Sequence, residues 1–379
     1  MHLNLNDEQR MLARTARDFA DRHSPIARLR ASRYAHEASD ADRAVWARYA
    51  ELGWTALHLP EEAGGLGLGY MDLGVVLEAL GRNLNADALV TSHVLGAELL
   101  LRTVGAAEAA PLLEPLAAGT GWLAVAHDER AARGRRLHVT ARLDEASGAP
   151  VLTGDKLDVI GAIDAEYLIV SARLAGGATD APAGLRLCLV RRDAAGVQVT
   201  PLTRIDGRRV ANVRFERAPV ERVLAGDDAA AAALGQAMDR ATAALCAQML
   251  GAAQHAFEIT TSYLKTRVQF GVPIGSFQAL QHRASKLFVE IELARTATLA
   301  ALAAIDADHA EQSAWISAAK AACNDTLMHV CHEGIQMHGG VGVTDEYDIG
   351  LFLKRAHADR VLLGDTAWHQ RRWATLRGY

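Results

Sequence analysis

At 379 residues the chain is long enough for two or three folding units of ~100–200 residues each. Half of the residues are hydrophobic, and a net charge of −5 with no basic stripe carrying interleaved aromatics argues against a nucleic-acid partner. Cys188, Cys246, Cys323 and Cys331 stand far apart with no C-x-x-C pair, which argues against structural zinc and fits a reducing, cytoplasmic compartment.

The first residues carry Asp7 and Glu8 and no continuous apolar core, so they read as neither a signal nor a transit peptide. No window supplies ~20 uninterrupted apolar residues, and no membrane span is expected. Asn6 or Asp7 starts a first helix whose buried face is Met11, Leu12, Ala16, Phe19 and Ala20. Val45, Trp46 and Tyr49 belong to a later helix ending at Gly53. Pro60, Gly64, Gly65, Gly67 and Gly69 make a loop, and Tyr70 to Leu80 is helical again. Glu61 and Glu62 read as structural or solvent-facing. Residues 1–118 thus form a helical unit.

Residues 119–225 change character. Short alternating segments, Trp122–Ala126, Leu137–Ala141, Val151–Thr153, Tyr167–Ala172, Leu185–Val190, Val197–Pro201 and Ala211–Glu216, are separated by turn residues at Gly134, Gly148, Gly154, Gly176, Gly177, Gly196 and Gly207. That spacing predicts a small β-barrel or sandwich. Residues 226–379 are helical again, with one helix after Asp227 and Asp228, one after Gln278, one over Glu311–Met337, one from Ile349 to Leu363 and a last one from Thr366. The fold class is therefore α+β, mainly α, in helical, β and helical units.

The most informative stretch is Tyr263–His282, YLKTRVQFGVPIGSFQALQH. Ala252, Ala253, Ala256, Phe257, Tyr263 and Leu264 end one helical pattern; Gly271, Pro273 and Gly275 break it; Phe277, Leu280, Ala284, Leu287, Phe288 and Ile291 resume it. Arg267 before a tight polar loop and Gln278 after it suit an anion such as a pyrophosphate. The same spacing also serves a helical hairpin whose arginine caps a carboxylate or a helix end. A second break, Gln336-Met337-His338-Gly339-Gly340-Val341-Gly342, is either a glycine helix cap or a turn that lets a dinucleotide approach the backbone. His329, His332, His338 and Glu333 do not make H-E-x-x-H and read as ordinary helix residues.

R-x-x-F-G-x-x-[IL]-x-x-F-Q, carried here by Arg267, Phe270, Gly271, Ile274, Phe277 and Gln278, resembles a flavin-contacting signature of the acyl-CoA dehydrogenase family. L-G-W with P-E-x-x-G-G-L-G near residue 60, and the Gln336 turn, extend the resemblance over essentially the whole chain. It implies a C-terminal four-helix bundle, an assembly as a tetramer, FAD as cofactor, an acyl-CoA substrate and an electron-transfer flavoprotein as electron acceptor. It also implies that Arg267, Phe270, Gln278, Gln336, Gly339 and Gly340 contact an FAD held mainly by a neighbouring subunit, with Thr366 a further cofactor contact.

The departures from the family pattern are one-sided. Dehydrogenation needs a carboxylate to take the proton beside the thioester carbonyl while flavin takes hydride from the next carbon. In the family a Glu of E-G-T does this. Here the stretch reads Leu363-Gly364-Asp365-Thr366-Ala367, with Gly364 in the Glu slot, and the alternative slot on the preceding long helix holds Ala241. Asp365 is displaced by one residue, ~100° of helical rotation; it is either an N-cap or a displaced base. The T-E and W-I-[TS] segments that hold the flavin ring are replaced by Val125-Ala126-His127-Asp128 and Lys156-Leu157-Asp158-Val159-Ile160. The chain therefore resembles the non-catalytic subunit of heteromeric acyl-CoA dehydrogenases. Two other readings stand beside it: a self-sufficient homotetramer using Asp365, and a relative without dehydrogenase chemistry that binds or supports other molecules.

Overall fold

The computed structural model describes residues 4–36, 38, 40–85, 89–130, 136–145, 148–174 and 178–379. The turns expected at Gly134, Gly176 and Gly177 lie outside them. Helices α1 (Asp7–His23), α2 (Ile26–Ser32), α3 (Asp40–Glu51) and α4 (Tyr70–Gly81) come first; a π-helical turn, Leu89–Gly96, then runs into α5 (Ala97–Thr103), and α6 (Ala106–Ala117) follows. Strands β1 (Leu123–Ala126), β2 (Arg142–Asp144), β3 (Val151–Ile160), β4 (Tyr167–Leu174), β5 (Leu185–Arg191), β6 (Val197–Thr203), β7 (Arg209–Pro219) and β8 (Arg222–Gly226) follow. The 40-residue α7 (Asp227–Thr266), a hairpin of β9 (Val268–Gln269) and β10 (Val272–Pro273), and α8 (Gln278–Asp306), α9 (Gln312–His338), α10 (Ile349–Val361) and α11 (Thr366–Leu376) complete the chain.

The chain forms two compact units, one of Met1–Ala31, Gly69–Ala86 and Thr242–Tyr379, the other of Ser32–Leu68 and Asp87–Ala241. The first unit is helical. Asn6 caps α1: its side chain accepts the Gln9 N–H at 2.7 Å, and the Gln9 side chain accepts the Asn6 N–H at 3.1 Å. Ala16, Phe19 and Ala20 are its buried residues, whereas Met11, expected on that face, is 60% exposed because the first turns stand in solvent. Small residues let α4 and α7 touch through their backbones: a Cβ on Gly81 would lie 2.2 Å from the Gln248 carbonyl oxygen, and one on Gly251 would lie 1.9 Å from that of Glu78. Leu287 and Ile291 of α8 are buried as expected, but Phe288 is 51% exposed and shares an outer face with Val289 and Leu293. An apolar period marks a helix face without saying what covers it.

Among the described residues the second unit holds an eight-stranded sheet in which seven strands run in the order β6-β7-β3-β2-β4-β5-β8 and β1 pairs with β4 off this path. Strands β1 and β2 both run parallel along β4, β1 against Tyr167–Val170 and β2 against Arg173 and Leu174, while antiparallel β5 pairs with the same strand over Tyr167–Arg173. The strand expected over Leu137–Ala141 falls instead at Arg142–Asp144. Val139 N–H bonds the Thr179 carbonyl and the Ala141 carbonyl accepts from Arg173 N–H, so the expected segment is hydrogen-bonded without joining the ladder. The edge strand β8 has no expected counterpart: Arg222 at its start and Gly226 at its end hide the alternation.

Candidate functional site

Helix α7 ends at Thr266, and the predicted loop is a β-hairpin. Phe270 and Gly271 sit consecutively at φ 53° and 81°, the left-handed pair that a two-residue hairpin turn requires. The Arg267 carbonyl accepts Ile274 N–H at 2.8 Å and closes the hairpin base. A single 3₁₀ turn, Ile274–Ser276, then leads to Gln278 as the first residue of α8. Phe270 is 91% exposed and meets Phe277 edge-on at 6.1 Å. The side chains of Arg267 and Gln278 are exposed too. The hairpin thus presents a guanidinium, an amide and an aromatic ring outward from one rigid base.

Gln336 is exposed in the last turn of α9, and its carbonyl accepts the Gly339 N–H. Gly339 has φ 66°, and a Cβ on Gly339 or Gly340 would find no heavy atom within 4 Å. Their backbone faces open space. Gly342 differs: a Cβ there would lie 2.7 Å from the Ile335 carbonyl oxygen, so this glycine lets the chain fold back on α9. Helices α7 and α9 meet just below both features. A Cβ on Gly334 would lie 2.9 Å from Thr260 Oγ1. One turn further, the Tyr263 and His338 rings stack at 4.4 Å. The two pairs advance in the same direction along both helices, towards Arg267 on one and Gly339 on the other.

Asp365 and Thr366 lie elsewhere on this unit. Asp365 accepts the Trp368 N–H at 2.8 Å as the N-cap of α11. Thr366 Oγ1 donates to Asp325 Oδ1 at 2.9 Å. Asp325 precedes Gln336 by three helical turns, about 16 Å of α9, so Thr366 is not gathered with the hairpin and the glycine turn. Gly364 has φ 116°, and a Cβ there would lie 2.8 Å from His369 Nε2 and 2.9 Å from Trp368 Cε3. Both carbonyls beside it are taken: His369 Nε2 donates to Leu363 at 3.1 Å and Lys320 Nζ donates to Gly364 at 3.3 Å. Lys320 is fully buried and also donates to the Asp359 carbonyl at 2.9 Å and to Asn324 Oδ1 at 2.6 Å; burial pulls its pKa down to about 8. Ala241 is fully buried.

In the sheet unit a buried polar network runs behind the two departing segments; no sequence pattern signals it, because a lysine in a strand ordinarily points to water. Lys156 is fully buried; its Nζ donates to Glu129 Oε1 at 2.6 Å, Ser171 Oγ at 3.0 Å and the His127 carbonyl at 3.2 Å. Glu129 also accepts Thr140 N–H at 2.7 Å, Ala141 N–H at 3.1 Å and the Thr140 hydroxyl. Burial alone would raise the Glu129 carboxyl, but the Lys156 charge and these bonds hold it below the usual range. His127 Nδ1 stands 2.9 Å from Ser171 Oγ, and burial with the nearby ammonium lowers its pKa to about 3. Asp158 sits at φ 52° beside a bulge in β3, with its N–H given to Asn212 Oδ1 at 3.2 Å and its carboxylate 3.7 Å from Arg204.

The residues divide sharply when tested against FAD. The open backbone of Gly339 and Gly340, with outward Arg267, Gln278 and Gln336, fits the phosphate end of a dinucleotide. The ring-side residues do not fit an isoalloxazine. The N–H groups of Leu157 and Asp158 are already given to the Asp128 carbonyl and to Asn212, and the polar atoms of Lys156 and His127 are turned into the buried network. No catalytic step follows from them.

Comparison with known proteins agrees with this architecture. Residues 6–120 match the family described as acyl-CoA dehydrogenase, N-terminal domain, and residues 231–375 match acyl-CoA dehydrogenase, C-terminal domain. Acyl-CoA dehydrogenase IpdE2 of Mycobacterium tuberculosis is 33% identical over 94% of this chain and 93% of its own. A solved variant of the Tcur3481-Tcur3483 steroid ACAD is 30% identical with a TM-score of 0.85 over 98% of both chains. The ChsE4-ChsE5 complex from Mycobacterium tuberculosis is 25% identical with a TM-score of 0.85 over 100% of both.

Proposed function

Since the chain belongs to the acyl-CoA dehydrogenase family, we propose that it is the non-catalytic partner in a heterotetramer that carries out FAD-dependent α,β-dehydrogenation of an acyl-CoA thioester. A related chain supplies the ring pocket and the proton-abstracting carboxylate. This chain supplies Arg267, Phe270, Gln278, Gln336 and the Gly339–Gly340 turn to the phosphate end of the partner's FAD. Electrons leave to an electron-transfer flavoprotein in the cytoplasm. The observation that carries the reading is Gly364. The slot for the base is a glycine at φ 116° whose side-chain space is already filled by Trp368 and His369. The alternative of a self-sufficient homotetramer is weakened by the engagement of Asp365 as a helix cap.

Two similar proteins support the pairing and the substrate class. ChsE4-ChsE5 is a complex, and the Tcur3481-Tcur3483 ACAD is named for a steroid. A steroid-derived acyl-CoA is accordingly the substrate class we assign. Purification tests the proposal. The chain expressed alone should be colourless. Co-expressed with a related acyl-CoA dehydrogenase chain carrying an intact base, it should form a yellow complex that a steroid-derived acyl-CoA bleaches. A yellow protein from this chain alone, bleached by the same thioester, would overturn the proposal.

A further inference from the structure

The aromatic cluster beneath the glycine turn is more constrained than packing requires. His338 is 3% exposed and stacks on Tyr263 at 4.4 Å with 27° between the ring planes. Tyr347, which lies beyond the glycine turn, meets both rings edge-on, Tyr263 at 5.8 Å and His338 at 5.5 Å. The segment that leaves the turn is thereby fastened to the pair beneath it. His338 Nδ1 stands 2.6 Å from the Gly334 carbonyl oxygen. A carbonyl only accepts, so Nδ1 carries the proton and Nε2 holds a lone pair. That lone pair is buried and has no partner among the described residues. A buried acceptor without a donor costs the fold. A phenylalanine would keep the stack and avoid the cost. The imidazole is therefore not the choice that stability alone favours.

What the imidazole adds is a fixed orientation. The Nδ1 bond anchors the ring to the last turn of α9, and the stack carries that anchor to α7 one turn before Arg267. We infer that His338 is a positioning residue, whose anchored ring sets where Arg267 and the Gly339–Gly340 turn stand relative to each other and so how tightly the shared dinucleotide is held. The inference rests on reading those residues as the arm for a partner's FAD. Burial keeps His338 below the ordinary histidine pKa, in keeping with a neutral ring.

The test uses the complex of this chain with its catalytic partner and measures FAD dissociation by flavin fluorescence beside the melting temperature of this chain. His338→Phe should weaken FAD retention roughly tenfold without lowering the melting temperature. A merely structural aromatic, whose stack phenylalanine keeps, predicts an equal or higher melting temperature with unchanged FAD affinity. Tyr263→Leu, which removes the stack and leaves the Gly334 anchor, should also weaken retention and decides the matter if His338→Phe does not fold. Arg267→Ala separates the inference from its premise. If Arg267→Ala leaves FAD retention unchanged, the nucleotide arm itself is misread. If Arg267→Ala weakens it while both His338→Phe and Tyr263→Leu match the parent complex, the positioning role is wrong.

Discussion

Asp365 is engaged in one of the two roles that a sequence leaves open for it. Its carboxylate accepts Trp368 N–H in the first turn of α11, the ordinary role of an aspartate that precedes a helix. Asp365→Ala should therefore cost about 0.5–2 kcal/mol of stability and leave the dehydrogenation rate of the assembled complex unchanged. A loss of turnover without a loss of stability would restore it as a base. The outward-facing turn and arginine were legible for a simple reason. A glycine pair and an arginine at fixed spacing can be read from the sequence, and the structure places them outward on Gly339, Gly340 and Arg267. The crowding around Gly364 was not legible, because it comes from His369, a residue with no motif of its own that is buried one turn into the next helix.

Among elements, the helices of the C-terminal part fell where periodicity put them, from α7 through α11. The strands fared less well. Strand β3 runs ten residues where three were expected, since its solvent-facing Asp155 and its bulge at Leu157 and Asp158 interrupt the alternation. The buried Lys156 in that strand makes a clear prediction. Glu129→Gln leaves an ammonium in the sheet interior without its counter-charge and should cost about 3–5 kcal/mol. Adding Lys156→Met should recover part of that loss, since the charge is gone while Thr140 and Ala141 keep an acceptor in the Gln amide oxygen. Urea unfolding followed by tryptophan fluorescence measures both. A single-variant loss under about 1 kcal/mol would mean that the pair behaves as a surface one.

Over the whole molecule, several histidines are held neutral by burial: His58, His127, His255 and His338 all lie below the ordinary histidine pKa. The unfolded chain takes up protons at these positions near pH 6.5 and the folded chain only at lower pH. Stability is therefore fully present above about pH 6.5 and falls below it; for His127, held at about 3, the fall is about 1.4 kcal/mol per pH unit down to that value. The melting temperature should drop from pH 7 to pH 5. A flat profile over that interval would show that these rings protonate in place. The filled space at Gly364 has a last consequence, for stoichiometry. An assembly built from equal numbers of this chain and a catalytic relative would possess one competent centre for every two polypeptides, and a tight-binding thioester analogue would saturate it at half the count of chains.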